Sequence, residues 1–164
     1  MINKIKDIQI ALNAGAYLSA LALALTLPDI CSQVEDQVTK ETGKRYIKWI
    51  NNHFDSTDFQ FPNFEKNEFG GEMCYALRCK VLHEGNTNVE ENQKVFVDSF
   101  QLTFPSDKEY FHGFKYAIDF PQNQNPEKTK TYIGIDYLCE ILCKRAEEFY
   151  NNWGNKTDFD KHRI

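Results

Sequence analysis

The stretch from Ala11 to Leu27, Ala-Leu-Asn-Ala-Gly-Ala-Tyr-Leu-Ser-Ala-Leu-Ala-Leu-Ala-Leu-Thr-Leu, constrains this chain more than any other feature. Only Asn13, Ser19 and Thr26 break it with polar side chains, so a helix built from it has almost no solvent face and must be buried on nearly all sides. Ile5, Ile8 and Leu12, then Leu18, Leu21 and Leu25, recur at helical spacing. They predict one long helix over about residues 4–26, with alanines that let neighbouring helices approach closely. Lys4 and Lys6 ahead of the run give it the outline of a secretory leader. Against that, Asp7, Gln9 and Asn13 interrupt the apolar face, and Leu27-Pro28-Asp29 is a poor cleavage site. The uninterrupted part is also short for a bilayer span. The reading is a core helix, with no membrane partner and a cytoplasmic location.

The remaining elements follow from periodicity and punctuation. Pro28 suits the first turn of a second helix reaching about Val38. A third, over about 44–54, carries Tyr46, Ile47, Trp49 and Ile50. Asp55 to Gly71 reads as a loop with aromatic anchors, and a fourth helix over about 72–84 stops at Gly85, a natural left-handed cap. The period then drops to two. Phe96, Phe100, Leu102 and Phe104 in one segment, and His112, Phe114, Tyr116, Ile118 and Phe120 in the next, alternate as strands do. Pro105 to Glu109 makes a hairpin between them, Pro121 to Thr129 a polar turn, and Lys130 to Gly134 a short third strand. The strand aromatics Phe111, Phe114, Tyr116 and Phe120 are expected to cover the helical core. Asp136 caps a last helix over about 136–153, with Leu138, Ile141, Leu142, Phe149 and Trp153 inward. A polar tail, 154–164, is expected to fray. The 164 residues make one domain, over about 1–153. The fold class is mainly α: an up-and-down helical bundle with a small antiparallel β-meander, about 94–134, inserted before the last helix.

A net charge of −5 and a pI near 5.4 exclude a broad basic surface that grips nucleic acid by charge alone. Any RNA contact must be local, or enclosed by a dimer whose acidic faces point outward. The five cysteines, Cys31, Cys74, Cys79, Cys139 and Cys143, are odd in number and lack the spacing of a secreted disulfide framework, which fits a reducing compartment. Cys139 and Cys143 share a helix face and could hold zinc with His112, but packed core thiols are the simpler reading. No metal and no cofactor is expected; neither a Gly-rich phosphate loop nor a nucleophile elbow is present.

One segment carries chemistry: Cys74-Tyr75-Ala76-Leu77-Arg78-Cys79-Lys80-Val81-Leu82-His83-Glu84-Gly85-Asn86. Arginine clamps a phosphate with a rigid fork of donors, and imidazole moves a proton near neutral pH. Five residues along an ideal helix is a rotation of about 140°, so Arg78 and His83 on one α-helix diverge. Either the helix loosens at its end, or a two-fold axis sets two copies face to face and builds a composite site. A purely structural role would pair Arg78 with a buried carboxylate, Asp29 or Glu72, and leave His83 at its helix C-terminus. Tyr46 and Trp49, beside Lys44, Arg45 and Lys48, could stack RNA bases, although such residues more often belong to a core.

Arg78-Cys79-Lys80-Val81-Leu82-His83 resembles the Arg-x4–6-His signature of HEPN domains, all-helical proteins that are frequently dimeric ribonucleases of toxin and antiviral systems. With Leu27-Pro28-Asp29-Ile30-Cys31 and Arg45-Tyr46-Ile47-Lys48-Trp49, the pattern is similar to a group of uncharacterised bacterial proteins with a HEPN-like core. The resemblance covers roughly residues 1–86 and the final helix, and leaves the β-insert outside. It implies a homodimer that cleaves RNA without metal, Arg78 holding the scissile phosphate and His83 acting as general acid and base. Cys79, Lys80 and Asn86 beside the pair, with Tyr46 and Trp49, would contact substrate. Cys79 stands where active members often carry a polar residue. Two alternatives share the fold: a non-catalytic interaction module that binds itself or a partner protein, and a pocket for a nucleotide or small anion.

Overall fold

The computed structural model describes residues 1–55, 58, 70–84, 99–108, 110–119 and 128–162. Its helices are α1 (Ile2–Asn13), α2 (Tyr17–Ala24), α3 (Leu27–Glu35), α4 (Thr42–His53), α5 (Gly71–Cys79) and α6 (Ile135–Asn152). A π turn, Lys80–Glu84, continues α5, and a 3-10 helix, Lys156–His162, follows α6. The chain is mainly helical, as its periodicity requires. The expected helix over 4–26 is two: Gly15, at φ +72°, turns the chain between α1 and α2. That conformation is open to glycine at little cost and stops a helix. The second expected helix ends at Glu35 rather than Val38. The Asp36 carboxylate accepts from the amides of Val38 and Thr39, a local arrangement that competes with helix.

Tyr17–Glu35 has the length and composition of a membrane span, with mean hydropathy 1.3, yet 56% of the window is buried inside the protein. Ala20, Leu21, Ala24, Leu25, Leu27 and Cys31 are fully enclosed. α2 and α3 both pack on α6, α3 packs on α4, and α4 on α5. The largest enclosed side chains, Trp49, Tyr46, Leu77, Leu138 and Leu142, form one continuous core with this run.

The sheet corrects the expected antiparallel meander. β1 (Ser99–Thr103), β2 (Phe114–Asp119) and β3 (Lys128–Gly134) lie in the order β1-β3-β2. β2 is antiparallel to β3, but β1 is parallel to it, Ser99 opposite Lys130 and Thr103 opposite Gly134. No hairpin joins β1 to β2. The connection past Phe104 is long and tied down elsewhere: Tyr110 and His112 reach Asp136 at the start of α6, and Gly134 N–H donates to Gly113 O at 2.8 Å. A Cβ on Gly134 would lie 2.5 Å from Phe111 O, so β3 enters α6 beneath this segment only because residue 134 is glycine. Phe114 and Ile133 are buried under the bundle, whereas Phe111 is 47% exposed, outside the buried core, with its ring against Gly113. The expected contributions of Phe96, Tyr116 and Phe120 lie outside the described residues and side chains, as does the Gly85 cap.

As far as residue 162 the tail is not frayed. Phe159 is 2% exposed and packs on Phe149 and Tyr150. Lys156 Nζ donates to the carbonyls of Tyr150, Asn151 and Trp153, closing the C-terminal turn of α6 with a cation where the helix dipole favours one.

Candidate functional site

α5 is set against α4 by two close approaches. A Cβ on Gly71 would lie 2.4 Å from Ile47 O, and one on Gly43 would lie 2.9 Å from the Tyr75 ring. The Gly71 amide also donates to Asn51 Oδ1 at 2.8 Å. These contacts fix the start of α5 and bring its C-terminal end to the first turn of α3, where Asp29 follows Pro28.

There Arg78 meets both of its partners. Its Nε and Nη2 donate to Asp29 Oδ2 at 3.2 and 3.1 Å, and its Nη1 lies 2.8 Å from His83 Nε2. A guanidinium has no acceptor, so in this contact Nη1–H donates and the imidazole accepts at Nε2, which places the ring proton on Nδ1. The 140° divergence of an ideal α-helix is narrowed by the π turn, Lys80–Glu84. Arg78 lies in the last turn of α5, two residues before the π turn begins; the π turn winds fewer degrees per residue than an α-helix, and the two side chains bridge what is left. The pair is therefore assembled inside one chain, by the loosening of a helix end. Asp29, rather than the exposed Glu72, is the carboxylate partner.

The side chains of Arg78 and Asp29 are 16% and 20% exposed, while His83 faces solvent. Burial raises the Asp29 carboxyl, and the charge and hydrogen bonds of Arg78 bring it only part of the way back. Burial also works against the Arg78 charge, but Asp29 and, after it, Cys79 together outweigh it and lift the arginine above its ordinary value. The acid fares worse because its second oxygen, Oδ1, is buried with no hydrogen-bond partner among the described residues. The Tyr75 ring lies 5.9 Å from the guanidinium carbon, close enough for a cation–π contact.

Of the other expected contacts, Cys79 and Lys80 are half-buried beside the pair, and Asn86 lies outside the described residues. Tyr46 and Trp49 are 0% exposed, which withdraws them as a base-stacking platform. Tyr46 O–H donates to Leu25 O at 3.3 Å inside the core, and burial pushes its hydroxyl well above the usual range. A hydrophobic helix face is buried before it can be offered to a base. The zinc alternative fails in geometry: Cys139 and Cys143 are buried, and His112 turns away to Asp136 at 3.2 Å and Glu140 at 3.5 Å. Among the described residues no three His, Cys, Asp or Glu side chains converge as metal ligands.

Sequence reasoning missed the Tyr110–His112–Asp136 cluster. Tyr110 O–H donates to Asp136 Oδ2 and lies 2.9 Å from His112 Nδ1; burial, then the Asp136 bond, raises the phenol. Its only signal was the one-face spacing of Tyr110 and His112 ahead of an acidic helix start. Asp136 itself sits in the first turn of α6, whose N-cap is Gly134. The chain matches no family model, no curated protein and no solved structure.

Proposed function

We propose that this chain is the protomer of a HEPN-type dimer that cleaves RNA without a metal, as a toxin or defence component. The observation that carries the reading is the 2.8 Å contact between Arg78 Nη1 and His83 Nε2 at a solvent-facing helix end. An arriving phosphodiester takes the Nη1 donor and releases Nε2. The freed imidazole nitrogen accepts the ribose 2′-OH proton, and the 2′-oxygen attacks phosphorus. The bond to the 5′-oxygen breaks, and that oxygen leaves with a proton from an imidazolium. Arg78 stabilises the charge that builds on the phosphoryl oxygens. The products are a 2′,3′-cyclic phosphate and a 5′-hydroxyl, and DNA is inert because it lacks the nucleophile. A two-fold dimer supplies a second imidazole, so that one accepts the proton while the other donates.

A second reading is favoured by the Asp29–Arg78 ion pair. In a non-catalytic HEPN-like module the same bond would hold α3 to α5, and the surface would serve self-association or a partner protein.

Cleavage of mixed single-stranded RNA in EDTA by wild type, Arg78→Ala and His83→Ala separates the two. The nuclease reading requires cutting by wild type, cyclic-phosphate ends, and a loss of about 100-fold or more in either variant. Equal inertness of all three in a folded dimer favours the module.

A further inference from the structure

Asp29 and Arg78 come from helices far apart in the chain and meet at a single oxygen. Two donors of the guanidinium, Nε and Nη2, converge on Asp29 Oδ2, which occupies one whole edge of the group. The guanidinium is planar and rigid, so fixing that edge fixes the direction of Nη1, the atom that faces His83. Asp29 is itself fixed, being in the first turn of α3 directly after Pro28. Its Oδ1 is buried and unpartnered among the described residues. A carboxylate kept for stability alone is poorly served by that arrangement, because a buried acceptor without a donor is a cost. It suits a carboxylate kept to aim something.

We infer that Asp29 is the positioning residue of the site: it clamps the Nε–Nη2 edge of Arg78 so that Nη1 points at His83 and at a phosphate entering between them. This rests on the RNA-cleavage reading above. Asp29 itself never touches substrate. Of the five N–H groups of the guanidinium, two go to Asp29 and one to His83. Among the described residues, one on Nη1 and one on Nη2 are left for phosphoryl oxygens, with the Cys79 side chain as the neighbouring competitor.

The test uses the full chain as wild type, Asp29→Ala, Asp29→Asn and Asp29→Glu, with two readouts. In RNA cleavage under EDTA, Asp29→Ala lowers kcat about 100-fold with KM little changed, as a misaimed group does, and Asp29→Glu restores part of the loss. The second readout is independent of activity: nitrogen NMR of the Arg78 guanidinium and of the His83 ring at a pH where the ring is neutral. Wild type shows separate, slowly exchanging Nη signals and a ring proton on Nδ1. In Asp29→Ala the Nη signals merge and the ring proton redistributes towards Nε2. If wild type fails to cut RNA while both NMR signatures shift as stated, the positioning role stands and the nuclease reading falls. The inference is overturned if folded Asp29→Ala keeps both signatures. It is also overturned if that variant cuts like wild type, or if Ala and Asn variants alike lose the native circular-dichroism spectrum.

Discussion

Among single side chains, burial divides the cysteines. Cys31, Cys74, Cys139 and Cys143 are enclosed, and burial pushes the Cys74 and Cys143 thiols up to about 12, where almost no thiolate exists at neutral pH. Cys79 alone is half-exposed. Iodoacetamide at pH 8 should therefore modify Cys79 and spare the other four in the native protein, as peptide mass spectrometry will report; early labelling of Cys139 would contradict the packing. Asp29 has a consequence for stability as well as for aim. Its folded-state pKa lies above the ordinary 3.8, so folding disfavours its charged form. The stability that the group contributes is present below 3.8 and is lost as pH rises through the raised value. Asn still accepts from Arg78 but does not ionise. Asp29→Asn should therefore gain on wild type in urea unfolding as pH climbs through the carboxylate range. A gap that stays constant with pH would rule this out.

Between elements, the decisive contact is α4 on α5. Alanine in place of glycine ordinarily favours a helix by about 0.5–1 kcal/mol. At Gly71 the added methyl would meet the Ile47 backbone at 2.4 Å, and backbone cannot step aside as a side chain can. Gly71→Ala should therefore destabilise the protein by about 1–3 kcal/mol, with the sign opposite to propensity. Because α5 carries Arg78, the proposed RNA cleavage should fall with it. A urea midpoint at or above wild type would show that α5 has room to shift. The same element explains why the Arg78–His83 pairing was only half legible in the sequence. The two residue types are plain to read, but their contact depends on a π turn. Nothing in Lys80-Val81-Leu82-His83-Glu84 announces that turn, since each of these residues also suits an ordinary helix.

Across the whole molecule, α6 ties the parts together. Arg145 binds the buried Asp58 through Nε at 2.8 Å, and also Asp55 at 2.8 Å and Glu148 at 3.0 Å; Tyr137 O–H donates to Asp58 O at 3.2 Å. The Asp58 side chain is 2% exposed, with Lys144 3.8 Å away as its other cation. Arg145→Ala leaves that carboxylate enclosed with the Asp55 N–H at 2.9 Å and the distant lysine as its partners among the described residues, and should cost about 3–5 kcal/mol by urea unfolding. A loss of under about 1 kcal/mol would mean that Asp58 reaches water or Lys144 once released.

The sequence by itself determined most of the helices and the apolar core run of α2 and α3. The 3.6-residue period, Pro28, and the apolar run from Ala11 to Leu27 act locally, and burial follows from them without knowing what lies opposite. It also supplied Arg78, His83 and Asp29 as chemical types. Tertiary structure decided what depends on neighbours distant in the chain. β1 runs parallel to β3 because β3 inserts between β1 and β2, and no period of two carries strand order or direction. Tyr46 and Trp49 went inward because α4 turned its apolar face to the core, a choice that a helix alone does not make. Arg78 took its aim from Asp29, 49 positions earlier, because only packing of α3 beside α5 brings a carboxylate to that guanidinium edge.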